Sequence, residues 1–575
     1  MSSDSNSSGG EQKIFTVGTL RYTQAGLFVL FAWLLWGDFC FTLMEKVRPS
    51  TYPLYLLGPK QSKTPASQPA STQAAYLSPA SQPAGAASPA SRPDVLAEAP
   101  VTPLSPATAT AALAAASQPA STIVRGGINW NAKPGKPGEP GEPRIEPLRI
   151  DNKTYNLLIL TIPQIFGILV GPAVSFKSDR YRSKWGRRIP FIVVTAPFLV
   201  LFLLGLGLAP YFANFWSGSG SWIPAALGIT PLSATIWTIG ICLAGFSFMD
   251  EFVNSVFWYL FADVVPQSHL GRFMGMFRTV GIGIDLLWNF FITQYSLRYL
   301  DIIFLGIGLL YFFGFTLMCW RVKEGDYPPP EDIGEKPSVF KQIKIYVVEC
   351  FIHPIFVLWF MAEALGRIAN TASGGGAVFM QSLMGRGSLD ENLKWIGFIN
   401  GCMTFIPFFL SYFSGWIVDK FHPLRIAVLA AILNLPLIFG RYFLLNGIPS
   451  YISFQLLSML VGLLSGAAGS VLAMTIFPKD KYGQFASCAG MMRSFGIILF
   501  APVAGIFMDW MTDKGQIIDN YRYMYLWQGV CLTFSLVCLF MVLGLWKKFG
   551  GEKGYLAPGS AEWKVRQAAK AAAVG

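Results

Sequence analysis

The chain has 575 residues, a formal net charge of +12, 53% hydrophobic residues and only 13% charged residues, where a soluble globular chain carries about 25% charge. The positive charge is spread over loops between long apolar runs, which argues against nucleic acid as a partner and for topology and anionic lipid. Eight cysteines without zinc-like spacing and three scattered histidines indicate no metal set, no cofactor and no disulfide framework.

A helix crosses a bilayer with about 20 mostly apolar residues. The first twenty residues are polar and lack a cleavable-signal pattern, so the first span is expected to be retained. Spans are predicted near 23–44, 154–176, 189–209, 232–262, 271–294, 299–320, 346–367, 393–418, 424–444, 451–475, 489–509 and 524–546. Between the first two lies 59–147, dominated by Pro, Ala, Ser, Thr and Gln; it reads as a disordered linker on the outer side. Its run Gly135 to Pro143, GKPGEPGEP, has collagen's period, but three triplets are too few for a triple helix. The expected organisation is a six-helix bundle over 1–320 with the insertion at 59–147, a central loop at 321–345, a second bundle over 346–546 and a tail at 547–575.

Loop charge sets the topology. Phe176 to Arg188, FKSDRYRSKWGRR, has six Lys or Arg in thirteen residues. Loop 321–345 carries Arg321, Lys323, Lys336, Lys341 and Lys344; later loops carry Lys420, Arg425, Lys479 and Lys481, and the tail begins with Lys547 and Lys548. The alternate loops 210–231 and 445–450 have no Lys or Arg. This bias places both termini in the cytoplasm, in a plasma (bacterial inner) membrane. A monomer in the lipid bilayer is expected.

The chain echoes itself six spans apart. SDRYRSKWGRR after the second span is matched by SGWIVDKFHPLR after the eighth, and VVPQSHLGRF after the fourth by IFPKDKYGQF after the tenth. Parallel halves of this kind are a common transporter plan.

Asp179-Arg180, Gly186-Arg187-Arg188 and the second copy at Gly415, Asp419 and Arg425 resemble the signature loops of the major facilitator superfamily. The version DRYRSKWGRRIPF is most similar to the sucrose-transporter branch and the related glycoside/cation symporters, as are Asp250-Glu251-x-x-Asn254 and Ala262-Asp263. In the second copy Pro423 replaces the usual glycine region and the paired arginines are missing. The resemblance implies an all-α membrane protein of twelve transmembrane helices in two pseudo-symmetric six-helix bundles, working by alternating access. Asp179, Arg180, Arg187, Arg188, Asp419 and Arg425 would then make and break contacts that hold the cytoplasmic side shut.

Ionisable residues inside spans are costly, so they pair, face inward or line a water path. Asp38 lies within the first span, where a carboxylate can bind a proton, a cation or a sugar hydroxyl; Glu45 and Lys46 are expected at the outer interface. Asp250, Asn254, Phe257, Trp258 and Phe261 form one stripe suited to a sugar's hydroxyls and apolar face. Glu251 points elsewhere to pair with another helix, and Asp263 is a gate or cap. In the fifth span Arg278, Asp285 and Asn289 share a face; Arg278 needs a carboxylate (Asp250, Asp285 or Glu251) unless it snorkels to the surface. In the seventh, Trp359, Glu363, Arg367 and Asn370 recur at helical spacing, with Glu363–Arg367 a favourable pair. Arg493 near Gly496 echoes Arg278 near Gly281. Ser373 to Ala377, SGGGA, lacks the strand and Lys-Ser/Thr ending of a phosphate loop.

These readings lead to a secondary active transporter, not an enzyme, for a small polar solute. A sugar or glycoside comes first, with proton or, second, sodium coupling through Asp38 and Asp250. The alternatives are another solute class, such as nucleosides or peptidoglycan fragments, and a non-transporting membrane sensor or scaffold.

Overall fold

The computed structural model describes residues 15–17, 19–57, 147–212, 231–266, 270–325, 348–384, 389–478, 482–512, 521–560 and 562–566. The predicted insertion at 59–147, apart from its last residue, and most of the central loop lie outside the described residues.

Eleven described helices are long and apolar enough to cross a membrane. The fifth expected span is Leu270–Leu287, which carries Arg272, Arg278 and Asp285 and continues through a π-helical turn, Trp288–Ile292, and a 3-10 turn, Thr293–Tyr295. The other spans of the first half are Gln24–Leu56; Asn152–Asn156 joined through the π turn Leu157–Thr161 to Ile162–Arg180; Ile189–Gly207; Pro231–Val264; and Leu300–Arg321. Those of the second half are Pro354–Ala369 continuing to Gly376–Met384, then Leu389–Lys420, Pro423–Leu444, Ile448–Ile476, Tyr482–Thr512 and Tyr523–Lys548. This is the expected twelve-helix arrangement. A short antiparallel ribbon, Phe15–Val17 against Leu20–Tyr22, precedes the first helix and was not expected in an all-α chain.

The first and seventh spans outrun their predicted ends the furthest. The first helix starts at Thr23, whose hydroxyl accepts from the Gly26 N–H at 3.1 Å, and runs on through Glu45, Lys46 and Arg48 to Leu56. Those charges resembled a membrane boundary, but side chains of other helices meet them, as described below. The seventh span continues past Ala369 through a 3-10 turn, Asn370–Gly375. The SGGGA run thus lies within the span, and its glycines admit two tyrosines. A Cβ at Gly374 would lie 2.4 Å from the Tyr155 ring, and one at Gly375 would lie 2.4 Å from that of Tyr521.

Apolar packing is distributed unevenly between the halves. One buried cluster includes residues from all six spans of the first half together with Val378, Met380, Met384, Leu393, Ile396, Ala504 and Met508 of the second. A separate cluster holds Ile355, Phe356, Trp359, Phe360, Leu472, Phe477, Phe485 and Trp546, all from the second half. Chain direction places the shared residues at the end away from the basic loops and the separate cluster at the basic-loop end. Lipid gives helices no hydrophobic reason to associate, so small residues and polar contacts decide where they meet.

Candidate functional site

At the end away from the basic loops, the halves are sealed together. The Asp509 carboxylate caps the start of the second span: it accepts from the Asn152 backbone N–H at 2.8 Å, the Asn152 side-chain amide at 2.8 Å and the Lys153 N–H at 2.9 Å. A negative charge at a helix N-terminus also meets the positive end of the dipole. One turn on, the Asn156 amide donates to the Ala501 carbonyl at 2.8 Å. Between the fifth and eighth spans, a Cβ at Gly397 would lie 2.4 Å from the Asn289 carbonyl oxygen. Nearer mid-span, the Ser494 hydroxyl donates to Gln164 at 2.8 Å, and an Arg278 nitrogen lies 2.9 Å from where a Gly466 Cβ would stand.

At the basic-loop end, the first half is tied to itself. Arg187 grips Asp263 with two bonds, Nε at 3.0 Å and Nη2 at 2.6 Å, and Arg188 Nε adds a third at 3.1 Å. Arg188 also lies over the Tyr259 ring, 5.0 Å from its centroid. Glu324, just beyond the sixth span, accepts from the backbone N–H groups of Arg187, Arg188 and Ile189 at 2.9, 2.9 and 2.7 Å. The third span therefore begins on a borrowed carboxylate cap. The side chains of Asp179, Arg180 and Asp419 lie outside the described residues. Arg425 reaches Glu552 of the tail at 3.0 Å.

The interior of the first half holds a group of charges. Asp38, near the middle of the first helix, is 0% exposed; its Oδ1 accepts from Thr42 at 3.0 Å, while Oδ2 has no partner. Asp250 Oδ1 and the Tyr311 hydroxyl are likewise buried and unpartnered. Glu45 lies within electrostatic reach of Asp250, Arg48, Asp38 and Glu251, so it is an interior residue and not the interfacial one expected. Arg48 approaches Ser247 at 3.4 Å and covers the Phe246 ring at 5.2 Å. Lys46 forms an ion pair with Asp285. Sequence reasoning missed the roles of Glu45, Lys46 and Arg48; the apolar run that follows them, Tyr52 to Leu57, is the signal that the helix continues.

The remaining candidates are dispersed. Asn254 accepts from the Trp258 indole at 2.9 Å, and Trp258 is 45% exposed. Phe257 and Phe261 instead belong to the core, because that face meets Phe41 and Phe315 as well; the expected stripe is split. Glu251 faces the second span near Gly167. Trp359 packs on Phe477 with centroids 4.9 Å apart, inside the second-half cluster. Glu363 pairs with Arg493 at 3.6 Å, a partner from another helix in place of the Arg367 expected one turn on. Arg367 is exposed. Among the described residues no group of His, Cys, Asp and Glu is arranged to hold a metal ion.

Comparison with known proteins agrees with this architecture. Residues 148–480 match the family described as MFS/sugar transport protein. The Membrane-associated transporter protein of Mus musculus is 34% identical over 126 residues, 21% of this chain and 21% of that protein. Its Homo sapiens counterpart is 31% identical over 131 residues, 22% of each. The chain thus matches about a fifth of the length of these relatives. Among solved structures, the partially occluded inward-open xylose transporter XylE from E. coli superposes with a TM-score of 0.51 at 11% identity, covering 90% of this chain and 99% of that one. A bacterial homolog of the human lysosomal transporter Spinster, inward-facing and unoccupied, gives 0.50 at 11% identity over 71% and 92%. These likenesses show the fold, and the family match spans more than half of the sequence. The chain belongs to the MFS/sugar transport protein family and has the major facilitator fold.

Proposed function

We propose that this transporter is a symporter of a sugar or glycoside driven by protons, nearest to the sucrose-transporter and glycoside/cation branch. The observation that carries the reading is the pair of buried, unpartnered carboxylate oxygens at Asp38 and Asp250, set among Glu45, Arg48 and Tyr311. An ionised carboxylate without a full set of partners is costly in a bundle interior. A proton removes that cost and frees Arg48 to redistribute among its acidic neighbours, so loading changes the internal balance of the first half. Sodium is the second candidate for the coupling ion. The basic loops face the cytoplasm in this reading, so the sealed end faces outward and the conformation is inward-facing. Solute would contact Asn254, Trp258 and Arg278 from the first half and Glu363, Arg367 and Arg493 from the second. Trp258 offers an apolar face, and its indole N–H is already held by Asn254.

The test is uptake of radiolabelled sugars into proteoliposomes with a pH gradient imposed, then collapsed. Accumulation should follow the gradient, and Asp38→Asn should reduce it to simple equilibration while the protein still folds. Undiminished concentrative uptake by that variant removes Asp38 from the coupling site. A response to nucleosides or peptidoglycan fragments alone replaces the sugar assignment.

A further inference from the structure

Two helices of the first half carry a π-helical turn where they meet the second half at the sealed end: Leu157–Thr161 in the second span and Trp288–Ile292 in the fifth. The two are built alike. Thr161 donates its hydroxyl to the Asn156 carbonyl at 3.3 Å, and Thr293 donates to the Trp288 carbonyl at 3.2 Å. In both, the hydroxyl reaches a carbonyl five residues back. A π turn accommodates an extra residue, is rare, and often marks a functional position.

Each turn borders the contacts that seal the halves. Before the first turn come Asn152 and Lys153 on Asp509, Tyr155 on Gly374 and Asn156 on the Ala501 carbonyl. The second turn contains Asn289, whose carbonyl meets Gly397, and Phe290, whose ring meets Gly401. A helix advances by roughly 100° per residue. Returning the extra residue to an α turn therefore rotates the neighbouring segment by about that angle, enough to turn these side chains away from their partners. Tyr155 also lies within electrostatic reach of Arg48, one of the charged group inside the first half.

We propose that the π turns at Leu157–Thr161 and Trp288–Ile292 are paired hinges of the gate at this end, pinned by Thr161 and Thr293, with Asp509 as the latch. This rests on the alternating-access reading above. The family match and the neighbouring structures show an overall fold; the hinge assignment comes from these two turns and their threonines.

The test uses full-length protein in lipid nanodiscs, with spin labels on non-canonical amino acids at positions 212 and 446. Phe212 and Asn446 are exposed and lie in opposite halves at the sealed end. Pulsed EPR without solute or gradient reads their separation. Thr161→Val keeps the shape and removes the hydroxyl. It should raise the ratio of longer to shorter distances roughly fivefold, the equivalent of one hydrogen bond, and Thr293→Val should act in the same direction. Thr161→Ser should behave as the parent. Asp509→Asn, which presents an amide to N–H donors, should open the pair further. If it does not fold, Asn152→Ala, which removes one of the donors, must give a smaller shift of the same sign. Unchanged distances in well-folded Thr161→Val and Asp509→Asn overturn the proposal, as does a Ser variant that opens as far as Val. Absent uptake with these shifts intact would sink the transport reading and leave the hinge standing.

Discussion

Arg188 has a structural role as well as a topological one. It is 4% exposed, bonded to Asp263 and stacked over Tyr259. Removing one partner of a buried pair costs more than the pair contributes, because a charge is left uncompensated. Asp263→Ala should therefore lower stability by about 3 kcal/mol, visible as a fall in the melting temperature of purified protein; an unchanged melting curve would show that solvent already satisfies both arginines. Gly186 is the second position where geometry is decisive. Its φ is +101° and an added Cβ would lie 2.5 Å from Glu324. Gly186→Ala should cost about 1–2 kcal/mol in backbone strain alone, and more by displacing the carboxylate from three N–H groups. The motif Gly186-Arg187-Arg188 was legible in the sequence. Its carboxylate partners were only partly so: Asp263 was singled out as a gate or cap, whereas nothing local marks Glu324, which is distant in the chain.

At the scale of elements, the tail after the twelfth span is a strap across the basic-loop end of the second half. Tyr555 donates to the Ile476 carbonyl at 2.9 Å, Glu552 pairs with Arg425, and Trp563 packs on His353 with centroids 5.6 Å apart. His422 begins the ninth span, accepting from the Leu424 N–H at 3.2 Å, with its ring 4.4 Å from that of Trp546. Burial lowers the pKa of both histidines; at His422 the Arg425 charge adds to this and Glu552 opposes it. At His353, whose ring the tail's Trp563 covers, protons are therefore held more tightly when the strap is released. Docking is fully stabilised above the ordinary histidine value of 6.5 and weakens as pH falls below it. Trypsin cleavage at Lys564 and Arg566 should accelerate between about pH 8 and pH 5 relative to an unstructured control, and His353→Gln should flatten that profile. Helix existence was readable from apolar run length, but ends were not. Glu45, Lys46 and Arg48 end the first span on hydropathy alone, and their tertiary neighbours let it continue.

For the molecule as a whole, the halves share a core at one end and keep separate ones at the other. The described ends of the long insertion are joined at its base: Leu148 donates to the Tyr55 carbonyl and Ile150 to that of Leu56, both at 2.8 Å. These bonds close the base of the loop, so deleting 62–127 should leave uptake and melting temperature unchanged; loss of uptake in a folded deletion would give the insertion a part in transport. The sequence by itself determined membrane residence, twelve spans and the two-half plan, because apolar run length, loop charge and repeated loops are local properties that lipid and topology read directly. Only the tertiary structure decided that Glu45 and Arg48 lie inside, that Glu363 pairs with Arg493, and that the seal lies away from the basic loops. Those outcomes depend on which helix faces meet, and a glycine such as Gly374 or a carboxylate such as Asp509 acquires its role from a partner hundreds of residues away.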